Sequence, residues 1–267
     1  MVEEIQVVTI AGSDSDGSAG AQADLHSFFV QNTYGMTILT AAVAGNSYGI
    51  HAVQNMPTEF ITAQFNALAD DFHIRATKTG MLANTEIMHT VVENYQRVDF
   101  GPLVVDPVIT TKHGNRLLEV EAIDTLKQQL LPLATVTTPN FYEAQILADM
   151  QIMSMQDIET AALRIQKLGV PNVMIKGRHD NDDQEIVVDY VLLADGRHFT
   201  LSEPFIKTQR INGTGDTLSA TITACLAKGE SVEQSIRTAK KATHNAIANE
   251  IEVGHKFGPI NHWAIQK

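Results

Sequence analysis

Short β-branched runs alternate with longer amphipathic stretches along the chain, and this alternation constrains the fold more than any other feature. Strands separated by helices can pair in parallel and bury both faces of the resulting sheet. Strand-like runs lie at 6–11, 37–44, 76–79, 103–106, 135–138, 172–176 and 186–193. Helix-like stretches lie at 20–32, 57–71, 84–97, 120–131, 140–150, 155–168, 213–228 and 231–250. Ser154 before Asp157 and Ser231 before Gln234 mark helix starts, and Gly229 marks a helix end. The pair Asp195-Gly196 reads as a tight hairpin turn between 187–193 and 197–201. The pattern predicts an α/β fold around a mostly parallel sheet, with residues 1–267 forming one domain and no repeat or linker.

Charge narrows the partners. With 19 basic against 31 acidic residues the net charge is −12, which argues against nucleic acid and anionic lipid as partners and favours a small molecule. The single cysteine, Cys225, falls on the apolar side of its helix with Leu218 and Ile222 and reads as a buried small hydrophobe. A lone cysteine allows no intrachain disulfide and no cysteine-based zinc site. The acidic start and the lack of a membrane-length apolar run lead to the expectation of a soluble, cytoplasmic protein.

Open α/β sheets bind ligands beyond the carboxyl ends of their strands, so polar residues just after strands are the candidates. Five segments qualify: 12–24, 45–48, 106–114, 140–143 and 176–177. A sixth, Gly213-Thr214-Gly215-Asp216, opens a helix. Its glycines suit backbone amides aimed at an anion, and its acid would repel a resting phosphate. Asp216 is therefore either a helix cap or a group that handles a proton while charge moves. Asn140 and Glu143, at i and i+3, read first as a capping box and second, with Asp106, as hard oxygen ligands for Mg²⁺. Lys176 is a candidate phosphate-binding cation or an ordinary edge lysine. The 108–115 segment reads as a flap, with Lys112 and His113 as candidate partners for phosphate.

Taken in order, 11-AGSDS-15 with 20-GAQAD-24, 78-KTGML-82, 104-VVDPV-108, 138-TPN-140 with Glu143-Ala144, 173-VMIKG-177 and 213-GTGDTLSA-220 resemble the ribokinase-like superfamily. Within it they resemble the hydroxymethylpyrimidine (phosphate) kinase and bacterial pyridoxal kinase branch. The resemblance implies a three-layer α/β/α sandwich that uses ATP and Mg²⁺ to phosphorylate a hydroxymethyl group on a vitamin-sized heteroaromatic ring, often as a homodimer. It also implies roles. The amides of Gly213, Thr214 and Gly215 would form an anion hole, and Asp216 would be the base. Asp106, Asn140 and Glu143 would hold Mg²⁺ directly or through water. Lys176 would face the ATP phosphates, with Thr208 near the nucleotide. Asp24, Gly12, Gly45, Met81 and His113 would line the substrate site.

Two departures from that branch bear on specificity. Hydroxymethylpyrimidine kinases carry a Gln-Asn-Thr triplet whose glutamine can pair with the aminopyrimidine edge; here the run is Ala44-Gly45-Asn46, without that amide. This favours pyridoxal, pyridoxine or pyridoxamine, while Asn46 or Gln22 standing in for the amide would keep the pyrimidine open. Many relatives have cysteine where this chain has Asp216.

Overall fold

The computed structural model describes residues 4–110, 117–179 and 183–266. Its centre is a nine-stranded sheet of β1 (Gln6–Asp14), β2 (Tyr34–Asn46), β3 (Gly49–Asn55), β4 (Ile74–Thr79), β5 (Leu103–Val105), β6 (Val136–Thr137), β7 (Asn172–Ile175), β8 (Ile186–Leu192) and β9 (His198–Pro204). The strand order is β3-β2-β1-β4-β5-β6-β7-β8-β9. The six strands from β2 across to β7 pair in parallel. β3, β8 and β9 add to the two edges in antiparallel fashion.

Helices cover both faces, completing the three layers. One layer holds α1 (Gly20–Val30), α7 (Thr214–Ala227) and α8 (Val232–Ala248). The other holds α2 (Thr58–Ala69), α3 (Thr85–Tyr95), α4 (Ala122–Thr125), α5 (Phe141–Ala148) and α6 (Met155–Gln166). Side-chain alternation along each strand sorts the core between them. Val8 and Ile10 pack with Ile61, Phe65 and Ile165. Val7 and Ala76 face Phe28, Ala220 and Ala224 instead. A short parallel pair, β10 (Arg210–Asn212) with β11 (Gly258–Pro259), delivers the chain into α7. Among the described residues no helix is long and apolar enough to cross a membrane.

The structure departs from the sequence reading in two places. β3 went unseen because nearly all of it is exposed, so it shows no alternation to detect. The helix expected at 120–131 is α-helical only over Ala122–Thr125; it widens into a π-type turn at Leu126–Leu130 and tightens into a 3₁₀ turn at Leu131–Leu133. Pro132 supplies no backbone N–H and cannot continue the α-helical ladder. The starts at Ser154 and Ser231 are formed, each hydroxyl accepting from a backbone N–H three residues on. Gly229 at φ 86° and Gly196 at φ 83° sit in the left-handed turns their positions suggested.

The C-terminal segment closes against α1 and α7. His262 is buried, meets the Thr217 hydroxyl at 3.0 Å and lies edge-on to His26 with ring centres 5.1 Å apart. Burial, with His26 beside it, pushes its pKa down from 6.5 to about 4. The unfolded chain therefore takes up a proton near pH 6.5 that the folded protein refuses until about pH 4, so this histidine costs stability as pH falls through that window. Urea unfolding of the parent and His262→Gln, compared from pH 7 to pH 4, should show the parent losing on the order of 3 kcal/mol relative to the variant.

Candidate active site

The strand order reverses between β1 and β4, since the chain runs outward from β1 to β2 and then returns to place β4 on β1's other side. Such a switch point opens a crevice beyond the strand ends. All six segments singled out in the sequence meet there through their described parts. A Cβ on Gly213 would lie 2.3 Å from the Ser18 carbonyl oxygen, so only glycine lets the α7 start rest on the loop after β1. Gly213 also holds φ 81°, a left-handed conformation that costs other residues roughly 1–2 kcal/mol. A Cβ on Gly215 would lie 3.2 Å from Asp106 Oδ2 and 3.4 Å from Lys176 Nζ. The turn is thus seated directly on the residues that follow β5 and β7.

Because Gly213 is the N-cap of α7, no side chain satisfies the first amides of that helix. Asp216 Oδ1 instead lies 3.4 Å from Lys78 Nζ, so the acid points into the site. Lys176 Nζ donates to Asp106 Oδ1 at 3.2 Å. Side-chain exposure separates the groups a ligand can reach from those it cannot: Asp216 keeps 19%, Lys176 16% and Asp106 6%, whereas Lys78 and Asp24 keep none. Burial alone would depress Lys176, but Asp106 and Glu143 raise its pKa, so it remains a cation at the mouth of the turn.

The capping box at 140–143 is complete. Asn140 Oδ1 accepts from the backbone N–H of Tyr142 and of Glu143, and Glu143 Oε2 accepts from Asn140 N at 2.7 Å. Glu143 Oε1 accepts from Ile109 N at 2.9 Å. That bond braces the turn after Asp106, where Val108 holds φ 44°, an uncommon conformation for a β-branched residue. Burial raises the Glu143 carboxyl to about 7 against the pull of Lys176. Asn140 and Glu143 thus form the capping box that was the first reading of this pair.

Asp24 lies beneath the accessible groups. Expected to touch a substrate hydroxyl, it is fully buried, accepts from Thr9 Oγ1 at 2.6 Å and is paired with Lys78. Gly12 and Met81 are neighbours: a Cβ on Gly12 would come within 2.7 Å of Met81 Cε, and the Met81 carbonyl accepts from Thr40 Oγ1. Gly45 belongs to β2 and exchanges hydrogen bonds with the Ser15 hydroxyl. The space beside it is not open, because the β2–β3 hairpin brings the Gly49 carbonyl to 3.2 Å from where a Cβ would stand. Thr208 lies before β10 and its hydroxyl accepts from Arg210 N. His113 and Lys112 lie outside the described residues.

Lys78 is the residue sequence reasoning passed over. It was quoted within a motif and given no role, yet it lies between Asp24 and Asp216. A signal existed: lysines are almost never fully buried unless paired, and this one interrupts a strand next to Thr77 and Thr79. The Cys225 reading holds, since the thiol is buried and burial pushes its pKa up to about 12.

Replacing Gly215 with alanine should press a methyl group onto Asp106 and Lys176 without left-handed strain. Gly213→Ala should lose more than the left-handed strain of about 1–2 kcal/mol in urea unfolding, because its methyl also meets the Ser18 carbonyl, whereas Gly215→Ala should lose little stability and most of its turnover.

The phosphomethylpyrimidine kinase family profile matches residues 14–261. A hydroxymethylpyrimidine/phosphomethylpyrimidine kinase of Haemophilus influenzae is 45% identical over 263 residues, covering 98% of each chain. An ADP complex of Bacillus subtilis pyridoxal kinase superposes with a TM-score of 0.91 at 36% identity, covering 99% of each chain. Staphylococcus aureus pyridoxal kinase in complex with AMP-PCP and pyridoxal gives a TM-score of 0.89 at 33% identity, covering 100% of this chain and 96% of that one.

Proposed function

The chain belongs to the phosphomethylpyrimidine kinase family of the ribokinase-like superfamily, and we propose that within it this protein moves the γ-phosphoryl group of ATP to the hydroxymethyl group of a pyridoxal-type vitamer. The observation that carries the reading is the Gly213–Gly215 turn seated on Asp106 and Lys176 with Asp216 as its accessible acid. In transfer, the alcohol oxygen bonds to the γ-phosphorus as the bond to the ADP oxygen breaks, and the alcohol proton passes to the Asp216 carboxylate. Such a reaction demands positioning and charge neutralisation more than covalent chemistry. The amides at the start of α7 receive charge on the moving group, and Lys176 offsets charge on the nucleotide phosphates.

Mg²⁺ fits the acidic side of this site. Mg²⁺ keeps several waters and takes one or two carboxylates plus phosphate oxygens. Asp106, Asn140 and Glu143 would hold it directly or through water. When bound, the ion would neutralise charge on the nucleotide phosphates.

The vitamer assignment rests on the amides around Gly45. Gln22 Oε1 accepts from Asp14 N and Gln22 Nε2 donates to Ser13 Oγ, so both ends of that amide are engaged locally. Asn46 Oδ1 accepts from Tyr48 N. Neither is set to replace the missing glutamine at an aminopyrimidine edge, and a site without that pairing loses selectivity for it. The second reading, a hydroxymethylpyrimidine or phosphomethylpyrimidine kinase, is favoured by the 45% identical relative.

Steady-state rates with Mg-ATP on pyridoxal, pyridoxine, pyridoxamine and hydroxymethylpyrimidine should give a kcat/KM at least about tenfold higher for the best vitamer than for the pyrimidine. The reverse preference would establish the second reading. Asp216→Asn should lower kcat by roughly 10²–10⁴ while nucleotide affinity, followed by calorimetry, and the unfolding midpoint stay near the parent's. Parallel losses of stability and activity would make Asp216 a helix residue only.

A further inference from the structure

We infer that Lys78 is a positioning residue for the general base, holding the Asp216 carboxylate inward through one oxygen so that the other faces the alcohol. The role rests on the kinase reading above. Lys78 lies on β4 opposite Thr9 of β1, at the switch point of the sheet, and both side chains point to the face covered by α1 and α7. Gly80 lets β4 lie close to β1, since a Cβ there would come 3.0 Å from Ala11 Cβ, and it borders the Lys78 head group. The ammonium pairs with Asp24, whose second oxygen is fixed by Thr9, and its remaining direction is toward Asp216 Oδ1 at 3.4 Å.

Charge balance argues that this is more than a buried structural pair. Lys78 and Asp24 alone would be neutral and complete. Adding Asp216 leaves the trio with one net negative charge, which the proton taken from the alcohol would cancel. Burial alone would depress Lys78, but Asp24, Asp216 and Asp106 raise its pKa and keep it an ammonium. The charged groups facing the site are thus Asp24 from α1, Lys78 from β4, Asp106 and Lys176 from the strand ends, and Asp216 from α7. Among these Lys78 alone joins the buried sheet to the reacting carboxylate by a fixed contact.

The test uses the paired variant Lys78→Met/Asp24→Asn, which removes the cation without leaving an unpaired buried acid. Its kcat should fall by roughly 30-fold or more, with KM for Mg-ATP and for the vitamer within about threefold of the parent and cooperative unfolding retained. In the Asp216→Asn background the same pair should cost less than about threefold further, because the carboxylate it positions is gone. If the pair variant does not fold, Lys78→Gln, which keeps a donor toward Asp24, gives the same comparison. A kcat close to the parent's, or an equal loss in both backgrounds, would overturn the role. A parent chain that phosphorylates none of the hydroxymethyl substrates would sink the kinase reading and the role together, whereas an active parent with an insensitive variant sinks the role alone.

Discussion

A lysine with no exposed surface sits in the middle of a parallel sheet, and satisfying that charge organises the structure around it. An ammonium in a low-dielectric interior is costly unless it is paired and hydrogen-bonded. Here the partners are Asp24 from α1, itself held by the Thr9 hydroxyl of β1, and Asp216 from α7. The small residues Ala76, Ala220 and Ala224 pack in one cluster on the same face. The polar centre thereby fixes where α1 and α7 lie relative to the strand ends.

The site follows from that placement. Once α7 is seated over β4, its first amides must lie against the loop after β1 and the exits of β5 and β7. Two glycines make this possible, one by adopting a left-handed backbone and the other by leaving space for a carboxylate and an ammonium. The completed capping box on α5 holds the turn after Asp106 from the opposite side through the Ile109 amide. Anion-receiving amides, an accessible acid and a cation are thus presented on rigid elements, as positioning chemistry requires.

Relatives bearing pyrimidine and pyridoxal names share this architecture. Both kinds of substrate present a hydroxymethyl group on an aromatic nitrogen ring, so the groups that handle phosphoryl transfer need not differ. Under the proposed function, discrimination would fall to side chains around the ring, and the β2–β3 hairpin closes the space beside Gly45.

The sequence by itself determined the layered α/β architecture, most strand and helix positions, and the six segments from which the candidate site is proposed. These rest on local periodicity, caps and turn chemistry, which a single segment displays on its own. An exposed edge strand such as β3 and the interrupted helix at 122–133 left no such pattern. Asp216, Asp106 and Lys176 were legible because each follows a strand or opens a helix. Asp24 and Lys78 were not: one was read as a ligand contact and the other passed over, because which of two acids lies at a cavity wall and which lies beneath it is a matter of burial. Only the tertiary structure decided that, by bringing residues 9, 24, 78 and 216 from four elements together around one desolvated charge.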